Sequence, residues 1–439
     1  MKVRDWGGAL ILALLIFTAP WHRHWVIWLR PVGVIYYEYS SLIFYLSDGA
    51  ALLLLCAALI ARRRSGRAWQ WGWVPVSVPL LLLAALALGS AWWAGDAILS
   101  FYFGLRLLWL GGIYLAVVNL SPSPRLLQRS LAVSLGVQAL VAGLQFLQGG
   151  ALGWQALGEI NLNDLLRTTL QPGAWVRSAG LTPHPNILGG ILGTGLLALL
   201  PAALPRSGRA RWQHLLLLLA LAAGWLTPLS RSALVGVALG MGFMMTMWLL
   251  HPAWRARWAR VVGGAAAAGL AVLAGLWVWQ PHSLWQRLAD RQPWDTRLIL
   301  NQAAYQMIGQ FPWGGVGASN FSIAAIPYVG AAAVPQPAHN LPLLLSAELG
   351  LAGGAIWLWL MLLPAIWTAR RVRQELASLW EVGLAAGLVA LAVIDLFDFY
   401  SWGWAQGRLW RWLWLALWVT AVQRPAPTTP PPTIAAVGG

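Results

Sequence analysis

The feature that most constrains this chain is a succession of apolar runs, many of them long enough to cross a lipid bilayer. A span needs ~18–20 apolar residues, and it must be helical because the backbone finds no other hydrogen-bond partners there. Such runs recur at roughly residues 6–20, 42–61, 74–92, 99–119, 126–147, 186–204, 213–229, 232–250, 261–280, 341–369, 379–399 and 408–423. With 59% hydrophobic and 10% charged residues over 439 positions, a soluble domain is excluded. The sequence therefore predicts an all-α, polytopic membrane protein of about twelve transmembrane helices. The expected organisation is a single transmembrane domain over residues 1–423, with long loops at about 148–185 and 281–340, and a Pro-rich, disordered cytoplasmic tail over 424–439. The first run lacks a small-residue cleavage site and is read as a retained span.

The charge pattern orients these spans. The net charge of +16 comes mostly from Arg, and the arginines cluster in alternate gaps. Arg62, Arg63, Arg64 and Arg67 follow the second run; Arg206, Arg209 and Arg211 the sixth; Arg255, Arg257 and Arg260 the eighth; Arg370, Arg371 and Arg373 the tenth. By the positive-inside rule that side is cytoplasmic, which places both termini there and both long loops on the opposite face. The rule accounts for the basic balance better than nucleic-acid binding does. The single Cys56 can form no intrachain disulfide. Most of the 32 tryptophans are expected to form interfacial belts, and none is assigned a ligand role. No Walker-type or Rossmann-type glycine loop is present, so ATP is not the expected energy source.

Against that topology, several arginines lie on the wrong side: Arg177, Arg231, Arg287, Arg291 and Arg297. Arg231 sits in TPLSRSALVG at the start of a span, where a cation opposes the helix dipole and calls for an anion beside it. Arg also matches phosphate with its planar fork of donors, so arginines converging on one cavity would clamp a pyrophosphate. Asp290 and Asp295 read as salt-bridge partners in the same loop, and residues 284–310 as an amphipathic surface helix. On the same face, PAHNLPLLLSAELGLAGG places His339 and Asn340 at the mouth of the tenth span, between Pro337 and Pro342. A helix N-terminus disfavours imidazolium, which suits His339 to act as a general base toward a hydroxyl. Gly350 and Gly354 form a G-x-x-x-G beside Gly353, read as close helix packing. VRSAGLTPHPNILGG carries Arg177 and Asn186 into the sixth span through a broken helix mouth. Asp395 and Asp398 share one helix face and are read as partners for Arg rather than metal ligands. Arg106, within the fourth span, is a functional candidate or the partner of a buried carboxylate.

Four stretches together resemble the superfamily of O-antigen ligases and Wzy-type polymerases: RSAGLTPHPNILGG, SRSALVGV, RLILNQAAYQMIGQFPWGGVGASNF and HNLPLLLSAELGLAGG. The last fits the ligase pattern H-[N/S/Q]-x9-G-x-x-G at every specified position, and the likeness covers about residues 100–400. The resemblance implies a metal-independent, cofactor-free enzyme of the bacterial inner membrane with its active site facing the periplasm. It would transfer a polysaccharide from undecaprenyl pyrophosphate to the lipid A–core, inverting the anomeric carbon. His339 would be the catalytic base. Arg231 and Arg297 would bind the donor pyrophosphate, with Arg177 and Arg291 assisting and Asn340, Asn186 and Arg287 in support. The alternatives are a Wzy-type polymerase or a protein O-oligosaccharyltransferase, which use the same lipid donor, and a lipid or polysaccharide transporter with no chemistry.

Overall fold

A computed structural model describes residues 6–162, 176–203, 208–252, 254, 292–330 and 334–424. The expected span at 261–280, the residues Arg287, Asp290 and Arg291, and the tail beyond 424 lie outside the described residues.

The described chain is mostly helical, as its apolar runs predict. Its longer helices are α1 (Trp6–Thr18), α2 (Leu46–Ser65), α3 (Val74–Ser90), α4 (Ala97–Leu120), α5 (Pro124–Gln148), α6 (Pro185–Leu199), α7 (Gly208–Leu226), α8 (Arg231–Leu250), α9 (Gln292–Gln310), α10 (Leu341–Arg373), α11 (Leu379–Ile394) and α12 (Ala405–Val422). Among the described residues, α4, α5, α6 with its following turn, α8 and α10 are long and apolar enough to cross a membrane, and α1, α3 and α11 are shorter apolar helices.

Local sequence explains the helix starts. A polar side chain accepts an otherwise unpaired backbone N–H at each of several first turns. Asp96 accepts from Leu99 at 3.0 Å before α4, Ser123 from Leu126 at 3.3 Å before α5, and Ser378 from Glu381 at 3.1 Å before α11. Proline occupies the opening turns of α3, α5, α6 and α10, where its missing N–H is not needed.

The helices run alternately up and down, which gathers their connections at two ends. At one end the Trp21–His22 segment meets Leu181 and Gln406, and the 93–96 turn meets Gly314 and Asn320. At the other end Gln70 meets Asn119, and Arg424 meets Pro122. The arginine-rich C-terminal turns of α2 and α10 fall at this second end, and the described candidate site residues fall at the first.

α12 is the axis of the bundle. It is buried along its whole length and packs on α4, α6 and α11. α11 in turn packs on α6, α8, α10 and α12. A Cβ at Gly236 or Gly240 of α8 would stand 2.7 or 2.6 Å from the carbonyl oxygens of Ala390 and Ala386, so only glycine lets α8 approach α11 this closely. Two arginines face buried carboxylates. Arg106 meets Asp48 at 2.7 Å, and Arg411 of α12 faces Asp395 at 3.2 Å.

Three features depart from the sequence expectation. The run at 42–61 does not begin as a helix: Leu42–Tyr45 is a β-strand (β2), paired antiparallel with His24–Trp28 (β1) in a two-stranded ribbon. The all-α expectation overlooked it because Trp, Val, Ile, Phe and Tyr suit a strand and a span equally. Trp402, Trp410, Trp412, Trp414 and Trp418 are not interfacial; each is at most 1% exposed and fills the core around α12. And Gly350 is not a helix-packing position. At φ 73°, ψ 178° it breaks α10, and a Cβ there would run into the carbonyl of Trp313.

The break turns the chain toward the loop ahead of α10. Leu351 N–H donates to Pro312 O at 2.8 Å, while Val316 and Gly317 N–H donate to Ala347 and Glu348 O at 2.8 and 2.9 Å. The Glu348 carboxylate accepts from Ser319 N–H at 2.9 Å and Trp402 Nε1–H at 2.8 Å. Gly350→Ala is expected to destabilise the fold by about 3 kcal/mol or more, since its backbone lies in a region essentially reserved for glycine. A thermal melt of the detergent-solubilised variant checks this, and a melting temperature equal to that of the parent contradicts it.

Candidate functional site

The site is assembled on the five residues that follow α11. Asp395 O accepts from Leu341 N–H at 2.7 Å, and Leu396 O from Asn340 Nδ2–H at 3.3 Å, which fixes the start of α10. Asn340 is also the cap of that helix, its Oδ1 accepting from Leu343 N–H at 3.1 Å. The Phe397 ring meets Trp294 of α9 edge to face at 6.3 Å. Asp398 Oδ2 accepts from Asn186 Nδ2–H at 2.7 Å, while its Oδ1 accepts from Phe399 N–H at 2.8 Å. Phe399 packs edge to face on the His339 imidazole, with centroids 4.8 Å apart and planes at 87°.

His339 is half-buried. Its Nδ1 is buried and has no hydrogen-bond partner among the described residues. Burial pushes the imidazole below the ordinary histidine range; Asp398 pulls the other way and Arg297 pushes it down further. The ring is therefore neutral at pH 7 and able to accept a proton.

Arg231 and Arg297 converge on one aromatic ring. The guanidinium carbon of Arg231 lies 5.6 Å from the centre of Trp294, and that of Arg297 lies 5.4 Å from it. Trp294 precedes Arg297 by three residues, so both occupy one face of α9. Arg231 opens α8, with Ser230 as the cap. A cation over an aromatic face is attracted by the ring's negative charge, so Trp294 helps to position both guanidinium groups.

Arg177 lies one step back. It is 6% exposed, its Nε donates to Pro228 O at 2.9 Å, and its Nη2 donates to Asn186 Oδ1 at 2.6 Å. Arg177, Asn186 and Asp398 thus form a chain of hydrogen bonds ending at the carboxylate that acts on His339. Asn186 stands in the first turn of α6, where His184 Nδ1 accepts its backbone N–H at 3.1 Å.

The structure thus brings His339, Asn340, Arg297, Arg231, Asn186 and Arg177 to one end of the bundle around a single corner. Arg291 and Arg287 lie outside the described residues. Asp395 faces Arg411, as the spacing argument anticipated, but Asp398 bonds Asn186 rather than an arginine. Two participants escaped the sequence reading. Trp294 was set aside with the other tryptophans, although its i, i+3 spacing to Arg297 marked it. Phe399 carried no local signal, because its part depends on where the corner folds.

Residues 215–358 match the family described as O-antigen ligase. This stretch contains Arg231, Trp294, Arg297 and His339, and leaves Arg177, Asn186 and Asp398 outside it. No curated protein matches the chain.

The electrostatics give a testable sign. Removing the Arg297 charge relieves the imidazolium of a like neighbour, so Arg297→Gln is expected to raise the His339 pKa. Asp398→Asn removes an attractive charge and is expected to lower it. NMR titration of the ring, compared with a His339→Ala spectrum for assignment, checks both directions. An unchanged or lower midpoint in Arg297→Gln contradicts the arrangement.

Proposed function

We propose that this member of the O-antigen ligase family transfers a lipid-linked polysaccharide from undecaprenyl pyrophosphate to the lipid A–core on the periplasmic face of the bacterial inner membrane. The observation that carries the reading is the convergence of Arg231 and Arg297 on Trp294, whose ring meets Phe397 of the same corner in which Phe399 packs on the His339 imidazole.

In this reading the pyrophosphate lies against the two guanidinium groups. Both are positioned before the donor arrives, so they stabilise charge that grows on the departing oxygen without reorganising. The acceptor hydroxyl is placed at His339. Its oxygen forms a bond to the anomeric carbon as the bond from that carbon to the pyrophosphate oxygen breaks, and its proton passes to the imidazole. The proton is then lost to water. A single displacement inverts the anomeric centre. The neutral imidazole at pH 7 is the form such a base requires. Arg177 and Asn186 hold Asp398 in place, and Asn340 fixes the helix start that carries His339. The resemblance assigns Arg291 to the same pyrophosphate and Arg287 a supporting role. The step needs no cofactor.

A polymerase or a protein O-oligosaccharyltransferase would use the same donor chemistry, so the acceptor decides among them. Transport alone is disfavoured because the converging groups sit at one end of the bundle, not at its middle.

With purified donor and lipid A–core, His339→Ala is expected to lower turnover by ~10²–10⁴, and Arg231→Ala or Arg297→Ala by ~10²–10³, mainly in kcat. Near-parental turnover in His339→Ala overturns the base assignment. Product formed only with a pilin-like or repeat-unit acceptor overturns the ligase reading and leaves the donor chemistry standing. The base assignment also predicts an acid limb to kcat below pH 6.5, because protonation removes the base and the imidazole pKa is depressed from 6.5. A pH–rate profile checks it, and an acid limb above pH 7 contradicts it.

A further inference from the structure

The ribbon that precedes α2 carries a second group of chemically active side chains, which the proposed transfer does not use. His22 follows α1, His24 opens β1, and Glu38 lies in the short 3₁₀ turn Tyr37–Tyr39 between the strands. One ligand atom from each lies within 4.8 Å of the others. His22 Nε2 is 3.0 Å from Glu38 Oε1, with the two side chains 7% and 3% exposed. Asp395 and Asp398 have no companion His or Asp cluster with ligand spacing in the sequence. The H-x-H pair at 22 and 24 finds its carboxylate only when the ribbon folds.

We propose that His22, His24 and Glu38 form a binding site for a late first-row divalent cation, with Zn²⁺ the best match. Two imidazole nitrogens and one carboxylate oxygen are a donor set suited to Zn²⁺ and poorly suited to Mg²⁺ or Ca²⁺. Ligand atoms on tetrahedral Zn²⁺ sit about 3.3 Å apart, given bonds of about 2.0–2.1 Å. The pair at 3.0 Å is close to this, and the third ligand atom, within 4.8 Å of the others, reaches it by a side-chain movement of at most about 1.5 Å.

The surroundings supply what such ligands need. A metal-bound imidazole commonly gives its other N–H to a carbonyl, which fixes the tautomer. His24 Nδ1 lies 2.9 Å from His22 O, so its proton belongs there and Nε2 keeps the lone pair. Glu38 accepts from the hydroxyls of Tyr36 at 3.1 Å and Tyr45 at 3.3 Å, which orient the carboxylate. Gln406 supplies an independent observation. It is 1% exposed, its Nε2 lies 3.4 Å from His22 Nδ1, and its Oε1 is buried with no partner among the described residues. Turning that amide offers the orphaned oxygen to an Nδ1 proton and releases Nε2 of His22 for metal. The turn gives up the 3.2 Å contact to Trp21 O. The Tyr37 hydroxyl, 3.1 Å from His24 Nε2 and 3.4 Å from Glu38 Oε1, stands where the cation enters and is displaced by it.

The site has a structural consequence. Gln406 belongs to α12, and the ring of Trp404 just before that helix lies 6.1 Å from His22 and 5.7 Å from Tyr39, which in turn packs on Phe399 at 5.9 Å. A bound cation would pin the ribbon to the aromatic wall behind His339.

The test uses the full-length, tag-free protein after chelator treatment, with Co²⁺ and Zn²⁺ as probes. The expected result is saturable uptake of one equivalent, a four-coordinate Co²⁺ absorption spectrum displaced by Zn²⁺, and a raised melting temperature. His24→Gln and Glu38→Gln are each expected to weaken binding by at least about a hundredfold, beyond the 10–100-fold typical of outer contacts. Tyr37→Phe is expected to bind at least as tightly as the parent, and His251→Gln, at the other end of the bundle, to bind like it. Absence of saturable uptake in the parent overturns the site, as does undiminished uptake in Glu38→Gln. Both readouts are independent of glycosyl transfer, so the site can fail while the proposed reaction stands, and the reverse.

Discussion

The corner from Asp395 to Phe399 is the constraint on which the candidate site depends. Each of five consecutive residues engages another part of the chain: two carbonyls hold the start of α10, an aromatic ring meets α9, a carboxylate holds α6, and a second ring packs on His339. The corner is itself anchored by the buried Asp395 carboxylate facing Arg411 of α12. The two charges stand 3.2 Å apart without the alignment of a hydrogen bond, so the contact is chiefly coulombic. Removing one partner of such a pair typically costs about 3–5 kcal/mol, because the other charge is left buried. The rigidity of the site is thus tied to the axis of the bundle.

The break at Gly350 plays the same part from the other side. A straight α10 would present Glu348 to its own helix and leave the 312–321 loop without partners. The break lets backbone carbonyls and the Glu348 carboxylate fasten that loop, and Trp402 closes the arrangement from the corner's side. The loop continues from α9, which carries Trp294 and Arg297. The glycine that ends the H-N-x9-G spacing is therefore linked to the arginine pair through backbone geometry and not through contact with a substrate.

The helical architecture was legible because spans are long and uniform, and lipid leaves the backbone few choices. The candidate residues were legible for a different reason. Arg231 and Arg297 stood on the face where the charge pattern disfavours Arg, and His339 stood at a helix mouth between prolines. What the sequence did not disclose depends on tertiary approach. The β-ribbon was hidden because its residues are equally at home in a span. The core role of the α12 tryptophans was hidden because an amphipathic ring reads as interfacial until its neighbours are known. Asp398 was visible as a carboxylate, but its partner Asn186 lies 212 residues away.

The central claim is that one cavity holds the donor pyrophosphate on Arg231 and Arg297 with its anomeric carbon facing His339. The most direct measurement is a cryo-EM structure of the protein in a lipid nanodisc with a non-hydrolysable undecaprenyl pyrophosphate sugar. The account predicts phosphate oxygens about 3 Å from both guanidinium groups, and room for one hydroxyl between the anomeric carbon and His339. A pyrophosphate bound away from Trp294, with neither arginine in contact, would contradict it.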